Sequence, residues 1–434
     1  MKSSVTSSRI TWTHDPGHCG TLANRIAKVT AGTPTLAFIR REWRFLLFGA
    51  LVMFWTSPGQ TYLISLFGDV LRRDFQLSHT DFGGIYTTAT LVSAAILWPA
   101  GRLVDRLRLG RFVWWVCVAM AAGATAFSQV SGSASLFFGI LSVRFLGQGM
   151  MAHIAVTAMA RRYVAERGRA IAIAGFGFPI AEGTLPPLIT IALTVTTWPY
   201  IWIVMGLAVA VTMLPTIPFL LKRTAGQDGQ GPEALSSRNA GQRQWTRAEM
   251  LRDRRFLMVA PIVMTMSAIF TGIIFHQTHI IGTAKQWDFL WWSVCFAVFA
   301  ACQVLGSFIT GWLIDRITAR RVTPYVLVPF MISLMFLALG EDELWAAGVL
   351  GAMGFSAGAT NPSFASLWAE LYGTQHLGAI RATAAVLSVF ASALGPVAVG
   401  WALDVPVLIE VIIWVSLAIT IGTSALAWLG LRRA

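Results

Sequence analysis

Arg144 and Glu182 lie deep inside long apolar runs of the chain. An ionisable group placed that way is expensive and ordinarily faces a cavity or a partner. A guanidinium and a carboxylate at one depth can hold each other as an ion pair. They can also exchange, with an anionic solute taking the arginine and a proton taking the carboxylate. The stretch WTSPGQTY, from Trp55 to Tyr62, offers a second kind of chemistry. Pro58 and Gly59 break the helical hydrogen-bond ladder there, so Ser57, Gln60 and Thr61 can present donors and acceptors to a solute, and Trp55 can stack on it. Asn361 and Pro362 make a similar break later in the chain. The alternative at both places is a plain kink whose polar groups bond to their own backbone. His276, Gln277 and His279 end another apolar run. Residues three apart share a helix face, so the two rings can form an outer gate or a pH-sensitive solute contact, or pack at an interface. A metal would need further ligands that the neighbouring sequence does not supply, so no metal site is expected. His153 reads as a satisfied buried histidine.

The elements that must position these residues follow from composition. Of 434 residues, 56% are hydrophobic and 12% charged, against roughly 25% charged in a soluble domain. Such a chain uses lipid as its solvent. A helix needs about 20 apolar residues to cross the hydrocarbon layer, and twelve runs qualify, near 45–69, 82–101, 112–130, 135–160, 170–193, 198–221, 256–281, 286–314, 322–340, 344–367, 380–402 and 407–430. The fifth is interrupted by Pro179, Pro186 and Pro187. At a rise of roughly 1.5 Å per residue, Arg144 sits about 14 Å along span 4 and Glu182 about 18 Å along span 5, both near the midplane. These spans adjoin in sequence, so a direct Arg144–Glu182 pair is expected.

A net charge of +13 suggests a nucleic-acid partner until the charges are sorted by segment. Twenty-nine of the 33 Lys and Arg then fall on one side of the spans. Positive charge is retained on the cytoplasmic side, so both termini are expected inside and the charge records orientation, with no nucleic acid implied. The expected organisation is a polar cytoplasmic tail over 1–44, a six-helix half over 45–221, a central linker over 222–255, a second six-helix half over 256–431 and a short C-terminus over 432–434. The linker is Gly-, Ser- and Gln-rich, then turns basic and amphipathic, as a helix lying on an anionic membrane surface would. GRLVDRL at 101–107 recurs as GWLIDRI at 311–317, which supports two repeated halves. No cleavable signal peptide precedes span 1, and Cys19, Cys117, Cys295 and Cys302 have neither disulfide-framework nor zinc spacing. The preference for Arg over Lys hints at a GC-rich bacterial genome.

These features resemble the major facilitator superfamily over nearly everything from Phe45 to Arg433. The loop after span 2 is similar to that family's G-x-x-x-D-R-x-G-R signature: Gly101, Asp105 and Arg106 match, while Leu107, Arg108 and Leu109 replace a single residue before Gly110 and Arg111. Arg144, Gly147 and Gly149 in RFLGQG match a second signature, an arginine of span 4 followed by close glycines. The proline-glycine signature of antiporters is matched poorly by GFGFPIAEG and gives antiport no support. TGIIFHQTHI, AELYGTQHLGAIRA and SALGPVAVG look like bacterial carriers grouped near the monocarboxylate and oxalate:formate facilitators. The resemblance implies an all-α fold of twelve transmembrane helices in two pseudo-symmetric halves. It also implies a latch at the cytoplasmic face formed by Gly101, Asp105 and Arg106 and their repeat Gly311, Asp315 and Arg316.

The expected function is secondary active transport by alternating access, with two halves rocking about a midplane site. No G-x-x-x-x-G-K-[ST] loop is present, so ATP is not the direct energy source, and proton symport through Glu182 or a histidine is expected. A midplane arginine favours a small organic anion such as a monocarboxylate. The Trp, Phe and Met content favours the alternative, a larger aromatic or amphiphilic solute such as riboflavin or an exported drug. An enzyme is not expected, for the loops hold no catalytic cluster. A membrane sensor is the remote alternative, and the linker is too short for a signalling domain. The protein is expected in a bacterial inner membrane as a monomer that needs no cofactor, its partners being solute, protons and lipid.

Overall fold

The structure is a computed structural model that describes residues 35–101, 104, 107–163, 166–221, 244–405 and 407–432. The chain divides into the units Met1–Trp43 and Arg44–Ala434. Of the first, residues 35–43 are described, as turns of the helix Thr35–Phe54; the second holds the helical bundle. That helix starts ahead of the expected boundary, so residues 35–44 of the expected tail are helical, with Arg40, Arg41, Glu42 and Arg44 standing between residues 36–39 and the apolar run that begins at Phe45.

The described residues contain helices and no strand. Among them, nine helical stretches are long and apolar enough to cross a membrane: Leu109–Phe127, Ser133–Arg162, Arg167–Val195, Trp198–Leu221, Arg254–Phe275, Phe289–Ile317, Ala319–Leu339, Leu377–Asp404 and Ile409–Arg432. They are spans 3–9, 11 and 12 of the expected series. The remaining three are helical too. Span 1 comprises Thr35–Phe54, a broken segment and Gly68–Asp74; span 2 is His79–Ala100; span 10 is Trp345–Tyr372. Span 1 carries Arg40, Arg41, Glu42 and Arg44 in its first helix and is then broken, while spans 2 and 10 are less apolar because they are rich in small and polar residues, which let helices pack closely in a membrane. Span 10 lies on span 8 in this way, Gly354 and Gly358 standing against the carbonyls of Phe299 and Gln303.

Polar caps fix where several spans begin. Ser78 and Asp81 form a reciprocal capping box at the start of span 2, with Asp81 N–H donating to the Ser78 hydroxyl at 3.0 Å, which satisfies donors that the helix itself leaves open. Asp288 accepts the N–H groups of Leu290 and Trp291 at the start of span 8. Residues 222–243 of the linker lie outside the described residues. The rest of the linker forms a six-residue helix, Arg247–Arg252, capped by Thr246 and Glu249, after which Asp253 caps span 7.

Two proline breaks behave differently. In span 1 the ladder does open, and Ser57–Gly59 form a 3₁₀ turn followed by an extended Gln60. In span 10 the expected break at Asn361–Pro362 does not occur, and the helix runs unbroken from Trp345 to Tyr372. The carbonyl that Pro362 leaves without a donor belongs to Gly358, and the Ser307 hydroxyl of span 8 donates to it at 2.8 Å. A neighbouring hydroxyl restores what proline removes, so the helix has no reason to part. Span 5 bends at Phe176, between the helices Arg167–Gly175 and Gly177–Val195, and absorbs Pro186 and Pro187 within the second.

Candidate functional site

Among the described residues, a set of polar contacts crosses between the two halves at the end of the bundle where span 1 turns into span 2. Span 2 meets span 11 through Thr87, whose hydroxyl donates to the Ala393 carbonyl, and through Asp404, whose carboxylate accepts the N–H groups of His79 at 3.0 Å and Thr80 at 2.7 Å. Span 5 meets span 8 through Thr190 and Ser293, 2.7 Å apart. Gln277 of span 7 is buried with every polar atom engaged, donating to the Tyr62 carbonyl and the Ser65 hydroxyl and accepting from the Trp292 indole. The bundle is therefore closed at this end.

His276 and His279 belong to that closure. Both rings pack against His79 of span 2, with centroids 5.4 and 4.3 Å away. His276 Nε2 donates to the Pro396 carbonyl at 2.8 Å, and its Nδ1 lies 3.4 Å from Nδ1 of His79. With both rings neutral, each carrying one proton, the geometry is satisfied by His276 accepting on Nδ1 and His79 donating. The two expected histidines thus meet a third from the other half. Among the described residues no group of three His, Cys, Asp or Glu side chains is arranged to hold a metal ion.

The broken turn of span 1 lies deeper. Gly59 and Gly147 let the backbones of spans 1 and 4 touch: a Cβ on Gly59 would overlap the Val143 carbonyl, and one on Gly147 would stand 2.8 Å from the Thr56 carbonyl. Span 4 is π-helical over Arg144–Met151, a geometry frequent at functional sites. Arg144 is 2% exposed, donates to the Gly59 carbonyl at 3.1 Å, and lies 4.7 Å from the centroid of the Tyr86 ring. The Tyr86 hydroxyl meets Thr61 Oγ1 at 2.5 Å. One hydrogen bond to a charged donor contributes about 1.5–3 kcal/mol and a desolvated cation–π contact about 2. Together they offset the roughly 2.5–3.5 kcal/mol that an arginine costs at mid-membrane on insertion scales.

The expected Arg144–Glu182 ion pair is not formed. Glu182 is 3% exposed, its Oε2 has no partner, and its neighbours are Gln303 of span 8 and Tyr62 of span 1. The broken turn of span 1 is the reason: Gly59 takes Arg144 while Tyr62 faces Glu182. Spans 4 and 5 adjoin in sequence, but span 5 packs on span 8, where Gly183 abuts Ala297 and Ala300.

Other expected residues take plainer places. Ser57 donates to the Phe54 carbonyl at 2.6 Å, the kink reading of that hydroxyl. Trp55 is buried with its ring edge-on to Phe54, Gln60 is half-buried with no side-chain hydrogen bond among the described residues, and Asn361 is exposed. His153 is exposed, contrary to the buried reading, because it ends up beside Gly101 at the far end of span 2. Asp105 and Arg106 lie outside the described residues. Asp315 is exposed without an ion pair among the described residues, and Arg316 stacks on Trp312 at 4.2 Å. The residues that hold these loops are ones the sequence reading passed over: Arg161 donates to the Val104 carbonyl, and Glu370 accepts the N–H groups of Ala319 and Arg320. Both stand at the end of the fourth span of their half, a symmetry the 101–107 and 311–317 repeat already implied.

A family model of the Major Facilitator Superfamily matches residues 45–396. The chain belongs to this superfamily. The protein is accordingly a multi-pass membrane transporter and not an enzyme. A crystal structure of a bacterial homologue of the human lysosomal transporter Spinster, inward-facing and unoccupied, matches with a TM-score of 0.67 at 13% identity over 93% of this chain and 98% of that one. The nucleoside transporter NupG matches with a TM-score of 0.64 at 12% identity, over 89% of this chain and 98% of that one. At such identities the likeness is one of fold. No curated protein sequence gives a significant match.

Proposed function

We propose that this superfamily member carries a small organic anion across a bacterial inner membrane by alternating access in symport with protons. Arg144 binds the anionic group and Glu182 carries the proton. The observation that carries this reading is a buried guanidinium without a carboxylate partner among the described residues: Arg144 makes no ion pair there, and its Nε has no hydrogen-bond partner. A carboxylate-bearing solute supplies the missing charge and suits the bidentate geometry of a guanidinium. Glu182, with an oxygen unengaged beside the same broken turn, is the group placed to take up a proton. Gln60 and Thr61 line the approach from span 1.

With 29 of the 33 basic residues on one side, the positive-inside rule places the termini in the cytoplasm and the His79 end outside. The closed end is then the outer one, and entry of solute from the cytoplasmic side is the step this conformation precedes or follows. His276 and His279 act as part of the outer gate. The loops at Gly101, Asp105 and Arg106 and at Gly311, Asp315 and Arg316, held by Arg161 and Glu370, latch the cytoplasmic face when the bundle opens outward.

A second reading, a larger aromatic solute such as a vitamin, is favoured by the rings of Phe178 and Phe296, 6.2 and 6.1 Å from Tyr62 beside Glu182. A thermal-shift screen of the purified protein over monocarboxylates, dicarboxylates and flavins separates the two. The first reading predicts stabilisation by a monocarboxylate that disappears in Arg144→Ala. Stabilisation by flavin alone, retained in that variant, would favour the second.

A further inference from the structure

A cleft of about 1290 Å³ opens in the second half, away from the seam between halves, with walls from spans 8, 9, 10 and 12. Its rim holds Arg316, Arg320, Arg321 and Arg432. Local geometry assembles them. Span 8 ends at Ile317, Thr318 adopts a φ of +81°, and the chain restarts as the short helix Ala319–Val322 on the carboxylate of Glu370. Arg320 and Arg321 are thereby turned back toward Arg316, while span 12 brings Arg432 from the other side. None of the four forms an ion pair or a side-chain hydrogen bond among the described residues; Arg316 and Arg432 instead stack on Trp312 and Trp428 at 4.2 and 4.7 Å. Below the rim the walls are apolar, with Leu313, Phe355 and Ala359 reaching toward mid-span, and Tyr325 stands 57% exposed at the mouth.

A cavity that is cationic at one membrane surface and apolar along its depth matches an amphiphile with an anionic head. Basic pockets between transmembrane helices recognise acidic lipid headgroups, and an arginine fork fits a phosphate. We propose that this cleft binds one anionic diacyl phospholipid, its phosphodiester among Arg316, Arg320, Arg321 and Arg432 and an acyl chain along Leu313, Phe355 and Ala359. The site does not depend on which solute is carried, since it shares no wall with the first half.

The test is native mass spectrometry of the full-length protein released from nanodiscs of phosphatidylcholine doped with phosphatidylglycerol. One phosphatidylglycerol should be retained in preference to phosphatidylcholine, and the double variant Arg320→Gln, Arg321→Gln should bind it about 25-fold more weakly, taking each basic residue as a factor of about five. The change Arg73→Gln, at an exposed position of the first half that is no part of the cleft, should leave retention unchanged. If the double variant does not fold, the single Arg321→Glu, at an exposed position, should still lower retention at least fivefold. Equal retention by wild type and the cleft variants would overturn the proposal. Displacement of the lipid by millimolar inorganic phosphate or glycerophosphoglycerol would also overturn it, assigning the arginines to a soluble phosphate.

Discussion

Arg144 donates to the carbonyl of Gly59, 85 positions earlier in the chain, at 3.1 Å. The bond ties the π-helical turn of span 4 to the broken turn of span 1. Arg144 is thereby engaged by span 1, while Glu182 is engaged by Gln303 of span 8.

The seam between spans 1 and 4 depends on the absence of two side chains. Gly147→Ala should destabilise the protein by about 1–3 kcal/mol, the usual range for overpacking a close contact, because the new methyl meets the Thr56 carbonyl. Gly84→Ala, where a Cβ meets nothing within 4 Å, is the matched control. Thermal unfolding in detergent should show a fall of several degrees for the first and none for the second.

Tyr86 plays two parts that substitution can separate. Tyr86→Phe keeps the ring beside Arg144 and loses the contact with Thr61, at a cost of about 1 kcal/mol. Tyr86→Leu also forfeits the cation–π contact, about 2 kcal/mol more. The ordering wild type, Phe, Leu should appear in both unfolding temperature and solute affinity. A Phe variant as weak as Leu would mean that the hydroxyl, and not the ring, holds Arg144.

Asp404 holds span 11 against the start of span 2 through two backbone donors. Charge-assisted bonds of this kind contribute about 1.5–3 kcal/mol, so Asp404→Ala should shift the population away from closure at that end by roughly tenfold or more. Spin labels placed at the exposed positions Gln76 and Leu408 in a cysteine-free background report it, as a longer inter-label distance in the variant.

The sequence made the spans and the internal repeat legible, because each depends on local apolar pattern or on a short motif. The broken turn at Pro58–Gly59 was legible for the same reason. The relationships that decide the site were not. His79 and Asp404 are 325 positions apart, and nothing near either one announces the other. Arg144 and Glu182 read as a pair because adjacency in sequence stood in for adjacency in space, whereas Arg144 bonds Gly59 of span 1 and Glu182 lies on the face of span 5 that packs on span 8, beside Gln303. At Pro362 the local rule for proline was sound, but the hydroxyl that repairs the ladder comes from Ser307, on another helix.

Uptake of the stabilising monocarboxylate into proteoliposomes, with and without a pH gradient, tests the division of labour between Arg144 and Glu182 most directly. Wild type should accumulate the anion when the gradient is imposed. Arg144→Ala should insert normally and show no uptake, and Glu182→Gln should lose the response to the gradient while still exchanging labelled for unlabelled anion. Full, gradient-driven accumulation by both variants would contradict the account.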